Sequence, residues 1–217
     1  MDPALKKLWR RAYALALFTI VYNIVEGLIS TYFGAVDDSL TLFGFGVDSF
    51  IEAISGLGIA HMVVRVRGNS DGSRDPFEKR ALTITGYSFY ALAVGLSATI
   101  VVNILNRHKP ETTIVGVIIS LISIVVMLLL IRLKTRVGNA LQSPAILADA
   151  RCTRICVYMS VTLLLASALY EITGFAHLDN IGAAALAYFS YSEGWECFQK
   201  SRSEALCGCV TPPIVPD

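Results

Sequence analysis

Charge is scarce in this sequence: of 217 residues, 16% are Asp, Glu, Lys or Arg and 54% are hydrophobic, against about 25% charged in an ordinary soluble domain. That shortage argues against a soluble enzyme. A formal net charge of +1 supplies no basic field, and the Lys and Arg residues sit in short clusters between apolar runs. Nucleic-acid binding is thereby left without an electrostatic footprint. The cysteine count is odd, five, and Cys152 and Cys156 lie inside an apolar segment rather than in loops, which argues against a secreted disulfide framework. The basic start MDPALKKLWRR is followed by no small-residue cleavage pattern, and the apolar run from Ala12 to Val36 is too long for the core of a signal peptide. It reads as a retained first membrane helix. A linker that would separate two domains is missing, as is any fixed-period repeat. So is a Ser- and Arg-rich presequence, which leaves a bacterial inner membrane or a plasma membrane as the expected location.

Long apolar segments are what the chain does contain. Ala81 to Asn106 and Thr112 to Ile131 carry no Asp, Glu, Lys or Arg, and each is long enough to cross a hydrocarbon core of about 30 Å. Hydropathy gives six spans, at 12–36, 39–64, 81–106, 112–131, 144–171 and 180–198, the last being the weakest. Their expected fold is an all-α integral membrane protein of six transmembrane helices over residues 1–200, with a short cytoplasmic tail at 201–217. Basic residues set the orientation. Lys6, Lys7, Arg10 and Arg11, then Arg65, Arg67, Arg74, Lys79 and Arg80, then Arg132, Lys134 and Arg136, and finally Lys200 and Arg202 all fall on one side. This asymmetry predicts that both termini are cytoplasmic, with acidic outer turns at Asp37–Asp38 and Glu171 to Asp179. Span 3 has small and polar residues (Thr83, Thr85, Gly86, Ser88, Gly95, Ser97) but no ionisable group, the pattern of a packing or dimer helix. Span 4 is nearly pure Ile, Leu and Val and reads as facing lipid.

Ionisable groups inside a span are costly and need a partner, a water-filled cavity or a ligand. Span 2, GFGVDSFIEAISG, sets Asp48 and Glu52 one helical turn apart on one face. Two carboxylates that close favour proton sharing or a bound cation; a protonated pair in a helix interface is the other reading. Span 5 begins SPAILADARCTRICVYMS, and at 100° per residue Asp149, Cys152 and Cys156 form one stripe. Arg151 and Arg154 point away from it. Asp48 and Glu52 lie about 13 to 20 Å from the outer end of their span, and Cys152 and Cys156 about 12 to 18 Å from the inner end of theirs. The two pairs therefore can meet near the midplane, and two carboxylates with two thiols make a four-ligand set for a d10 ion such as zinc. Cys152 and Cys156 alone also fit small buried hydrophobes, and Asp149, a further candidate metal ligand on the same stripe, equally fits a helix-entry residue or a salt bridge with Arg151 or Arg154.

With these residues in view, the sequence resembles the transmembrane domain of the cation diffusion facilitator (cation efflux) family of metal transporters. The resemblance is carried by NIVEGLIS in span 1 (Asn23, Glu26, Gly27, Ser30), VDSFIE in span 2, the Ala148–Asp149 start of span 5 with its spaced ligand pair, and LDNIGAAALA leading span 6. It covers about residues 12 to 198. The resemblance implies a metal/proton antiporter rather than an enzyme, with Asp48, Glu52, Cys152 and Cys156 as ligands carried over by position. It also implies that spans 1, 2, 4 and 5 rock against 3 and 6. Family members usually offer His or Asp, then Asp, where this chain has two cysteines. Thiolates keep zinc as the leading ion, suit cadmium, mercury or cuprous copper, and argue against magnesium or manganese. No prosthetic group is implied. Members commonly end in a cytoplasmic metal-binding domain, whereas this chain stops about twenty residues after span 6 with CGCVTPPIVPD, as a short form would, so a homodimer would be held by membrane helices.

Secondary features leave alternatives open. Asp71, Asp75 and Glu78 offer an auxiliary metal site or simply a solvated loop. His61, near the cytoplasmic end of span 2, suits a proton relay, a receiver of metal or an interfacial hydrogen bond. Cys207 and Cys209 suit capture of a soft ion, palmitoylation, or no role, and Asn23 with Glu26 either line the cavity or pin span 1 to a neighbour. Two other functions compete with transport: a non-transporting membrane metal sensor or scaffold, and a thiol oxidoreductase, against which the Cys-x-x-x-Cys spacing speaks. The topology is open to a direct check. Cysteines introduced between Gly68 and Asp75 are expected to react with impermeant thiol reagents only from the cytoplasmic side; labelling from outside contradicts the orientation.

Overall fold

In the computed structural model, residues 3–68, 76–106, 113–175 and 177–202 are described, and all regular structure among them is helical. Six helices follow one another: α1 (Pro3–Val36), α2 (Leu40–Gly68), α3 (Pro76–Asn106), α4 (Ile114–Leu141), α5 (Pro144–Thr173) and α6 (His177–Arg202). They run from 26 to 34 residues, about 39 to 51 Å at 1.5 Å per residue, so each exceeds a hydrocarbon core in length. Five have the sustained apolarity of a membrane span; α6 is not among them. Its weak hydropathy reflects Asp179, Asn180, Ser190 and Lys200, which are buried inside the protein rather than offered to lipid.

The helices fall into two groups. α1 packs on α2 and α4, and α5 packs on α4 and α2, closing a four-helix ring; α3 and α6 pair with each other and join the ring through α2 and α5. Large apolar side chains line the outside, among them Phe18, Val21, Leu28, Ile118, Ile122, Val125 and Leu129, as expected where lipid replaces water as solvent. The core between the groups holds Leu42, Phe45, Phe89, Leu96, Met159, Leu163 and Leu186. Close approach of α1 and α2 depends on Gly46, where an added Cβ would lie 2.5 Å from Thr31 N.

Span 4 differs from its expected shape in two ways. The helix runs on past Ile131 to Leu141, so Arg132, Lys134 and Arg136 are helical rather than loop residues. And while one face is lipid-exposed as expected, the other carries a buried stripe of Ser120, Ser123, Met127, Leu130 and Lys134. The charged tail of the sequence pattern had hidden a continuing helix, because a helix satisfies its own backbone whether or not its side chains are apolar. In α3 the small residues divide: Thr85 and Gly86 are buried, Gly86 lying against Cys197 and Phe198 of α6, whereas Gly95 and Ser97 are exposed.

Two helix starts are capped from other helices. The Asp179 carboxylate of α6 accepts from Ser39 Oγ (2.8 Å), Leu40 N (2.8 Å) and Thr41 N (3.2 Å), while Thr41 Oγ1 donates to the Asp179 carbonyl at 2.6 Å. Glu171 of α5 does the same for α4, accepting from the backbone N–H and the hydroxyl of Thr113. Unpaired N–H groups and a positive dipole end both favour a carboxylate there. These two acids, expected in outer turns, thus tie helix ends together. Asp179→Ala is expected to lower the unfolding free energy in mixed micelles by about 1–3 kcal/mol, read from a detergent denaturation curve.

Candidate metal centre

Polar side chains of four helices converge inside the ring. On α1, Asn23 and Glu26 share a face and both are buried. Glu26 Oε1 accepts from Tyr22 OH at 2.8 Å and Glu26 Oε2 from Ser49 Oγ of α2 at 3.1 Å. Asn23 Nδ2 donates to Glu52 Oε2 at 3.3 Å. Both therefore pin α1 to α2, one of the two roles open to them from sequence.

The expected meeting of α2 with α5 is present at one point: the Cys156 thiol donates to Glu52 Oε1 at 2.8 Å. Asp48, one turn away on the same unbroken helix, is 2% exposed, and its Oδ1 has no hydrogen-bond partner; the same holds for Asn23 Oδ1. A buried acceptor left unmade costs about 1–3 kcal/mol, a cost that a bound cation would remove. Below Cys156 on α5, Ser160 Oγ donates to its carbonyl at 2.7 Å and meets Ser123 Oγ of α4 at 2.9 Å. The backbone of Cys152 lies on the same helix; its side chain lies outside the described residues. Among those described, no three His, Cys, Asp or Glu side chains are gathered tightly enough to hold a metal ion. Glu52 and Cys156 are brought together, and among the described residues no third ligand is closed around them.

Asp149 is engaged elsewhere. Its two carboxylate oxygens each lie 3.0 Å from Lys134 Nζ, which also donates to Thr153 Oγ1 at 3.1 Å. Lys134 is 2% exposed. A salt bridge was one of the readings of Asp149, and the structure supplies a partner not considered for it, this lysine of α4; the side chain of Arg151 lies outside the described residues. Asp149 lies about 10 Å along α5 from Cys156, with Thr153 between them on the same face. His61 is half-buried and about 13 Å further along α2 than Glu52. Asp71, Asp75, Cys207 and Cys209 lie outside the described residues, as does the side chain of Glu78.

Three contributors escaped the sequence reading. Lys134 looked like a flanking charge; its position four residues after Leu130 on the inward stripe was the available signal. Ser123 was hidden in an apolar run, although Ser120 and Ser123 are the only hydroxyl residues between Ile114 and Ile131. Glu193 of α6, half-buried, lies within electrostatic reach of Asp48 and Glu52, and only its place one residue past the charge-free part of span 6 marks it.

The Lys134–Asp149 pair yields a stability prediction. Lys134→Met leaves the largely enclosed Asp149 carboxylate without this cation and is expected to cost about 3–5 kcal/mol, whereas adding Asp149→Leu should recover most of it. Detergent unfolding of the single and double variants checks this; an additive double loss contradicts it.

Comparison with known proteins agrees with the residues. Curated proteins give no match. The model of the cation efflux transmembrane domain matches residues 15–205, nearly the whole of the six-helix region. On that match, and with five apolar helices around a polar interior, the chain is an integral membrane protein that belongs to the cation efflux family, whose members transport metal cations.

Proposed function

We propose that this chain exports a soft or borderline divalent ion, zinc or cadmium, in exchange for protons, at a mid-membrane site between α2 and α5. The observation that carries the reading is the contact between the Cys156 thiol and Glu52, with the unpartnered oxygen of Asp48 one turn away. Thiolate and carboxylate donors together suit tetrahedral zinc and its softer relatives, and suit magnesium poorly. Cys152 supplies the fourth ligand, one turn from Cys156 on α5. Asp149 stays with Lys134 and orients α5 rather than touching the ion. Asp71, Asp75 and His61 serve at the inner mouth, where metal is collected before it reaches the ring.

The proton balance follows from the donor set. A thiol binds metal as thiolate, so the proton that Cys156 now donates to Glu52 must leave when the ion arrives, together with any proton held by the two acids. Return of those protons from the more acidic side weakens the ligands and releases the ion. Alternating access comes from the four-helix ring moving against the α3–α6 pair. In this reading all six helices cross the membrane, a bacterial inner membrane or a plasma membrane. Both termini are cytoplasmic, and a homodimer forms through membrane helices, for which the exposed small residues Gly95 and Ser97 of α3 leave room.

Proteoliposomes with an imposed pH gradient test the proposal. Wild type is expected to accumulate zinc and cadmium in proportion to the gradient. Asp48→Asn should abolish both fluxes in protein that still elutes as a folded species, and Cys152→Ser with Cys156→Ser should remove cadmium transport first. Zinc flux that persists in Asp48→Asn contradicts the site, and metal binding without flux would make the protein a sensor instead.

A further inference from the structure

A second feature lies away from the ring, on the outer face of the α3–α6 pair. Tyr87 and Tyr90 of α3 and Trp195, Phe198, Gln199 and Arg202 of α6 line a groove of about 320 Å³, within the size range of small-molecule sites. The lining is built rather than accidental: Phe198 sits edge-on to Tyr87 (ring centroids 4.9 Å) and stacks on Tyr90 (5.4 Å). Gly86 and Gly194 permit the approach, since a Cβ on Gly194 would lie 3.0 Å from the Tyr90 ring. Yet the rings are not buried: Tyr87 is 66% and Trp195 55% exposed.

Charge at the mouth of the groove decides what fits. The lining residues of α6 follow one another at helical spacing up to Arg202, about 10 Å beyond Trp195. On α3, Arg80 lies on the same helical stripe as Tyr87 and again about 10 Å beyond it. The two helices are antiparallel, with Gly86 opposite Cys197 and Phe198, so Arg80 and Arg202 come to the same level, at the end where Lys79 and the basic start of α1 also lie. Both arginines are exposed. The nearest acid on α6, Glu196, is engaged by Lys200 at 2.7 Å and so does not neutralise Arg202. Arg202 thus lines the groove itself, and Arg80 follows the aromatic stripe of α3 at the same end.

We infer that this groove is a binding site for an anionic phospholipid, its phosphate held by Arg202 and Arg80 and its upper acyl chain lying along Tyr87, Tyr90, Trp195 and Phe198. Guanidinium pairs phosphate oxygens in bidentate fashion, and amphipathic rings favour the level just beneath the headgroups. A zwitterionic lipid would bring its own cation to the same place and gain less. This site does not depend on which ion the ring carries.

Trp195 reports on the groove directly, because the chain has only two tryptophans and Trp9 lies in a buried cluster on the ring. The full chain with Trp9→Phe is reconstituted in phosphatidylcholine vesicles holding a minor fraction of brominated phosphatidylglycerol or, separately, of brominated phosphatidylcholine. Bromine quenches only a tryptophan it touches. The brominated anionic lipid is expected to match the quenching of roughly fivefold more brominated phosphatidylcholine, and Arg80→Gln with Arg202→Gln should bring the two lipids to parity. The same ratio can be read from the unaltered chain by subtracting the signal of Trp195→Phe, so the result does not rest on Trp9→Phe folding. Equal quenching by the two lipids before the arginines are changed overturns the inference, as does a preference that survives their loss. Absence of quenching by either lipid would assign the groove to a protein neighbour and overturn it equally.

Discussion

A carboxylate inside a membrane protein has little water to turn to, and the way this chain answers several of its acids organises much of the structure. Glu26 receives hydroxyls from Tyr22 and Ser49. Asp149 receives the buried ammonium of Lys134. Asp179 and Glu171 receive the open N–H groups at the starts of α2 and α4. Each of these acids joins two helices, so the polar contacts that desolvation demands are also what fixes the helices relative to one another. Glu52 and Asp48 are treated differently: Glu52 is met by a thiol and an amide, both weak or neutral donors, and Asp48 keeps an oxygen with no partner. Those four acids are held by donors from a second helix, whereas the Asp48 oxygen is not.

Much of this was legible in the sequence. Length and hydropathy place the helices because hydrocarbon thickness fixes how many apolar residues a span needs, and the acid pair in α2 stands out because nothing in a span excuses it. The cysteine stripe of α5 is equally visible at helical spacing, and the contact of Cys156 with α2 follows from matched depth. What the sequence did not show depends on which way a polar side chain turns. Lys134 reads as a flanking charge in an apolar-then-basic pattern, and only the packing of α4 on α5 turns it inward to Asp149. Asp179 reads as an acidic loop residue, and only the proximity of α6 to the start of α2 makes it a cap. Pairing across helices is a tertiary property, and spacing along one helix carries no record of it.

The two helix groups give the candidate centre its mechanical setting. The ligands proposed for it lie on α2 and α5, which both belong to the four-helix ring and are also the two ring helices in contact with the α3–α6 pair. A displacement of the pair against the ring is therefore transmitted to the helices that carry Glu52 and Cys156. The α4–α5 contacts bracket that point, with Ser123–Ser160 on one side of Cys156 and Lys134–Asp149 on the other. Such bracketing holds the thiol in register with Glu52, and a lipid bound on the outer face of α3 and α6 would act on the pair rather than on the centre.

Binding of one ion by sulfur and carboxylate oxygen from two helices can be read by X-ray absorption at the zinc edge of the metal-loaded protein. A mixed coordination shell is expected, with sulfur at about 2.3 Å and oxygen at about 2.0 Å, and loss of the sulfur contribution when Cys152 and Cys156 are both replaced by Ser. A shell of oxygen and nitrogen alone in the unaltered protein would contradict it.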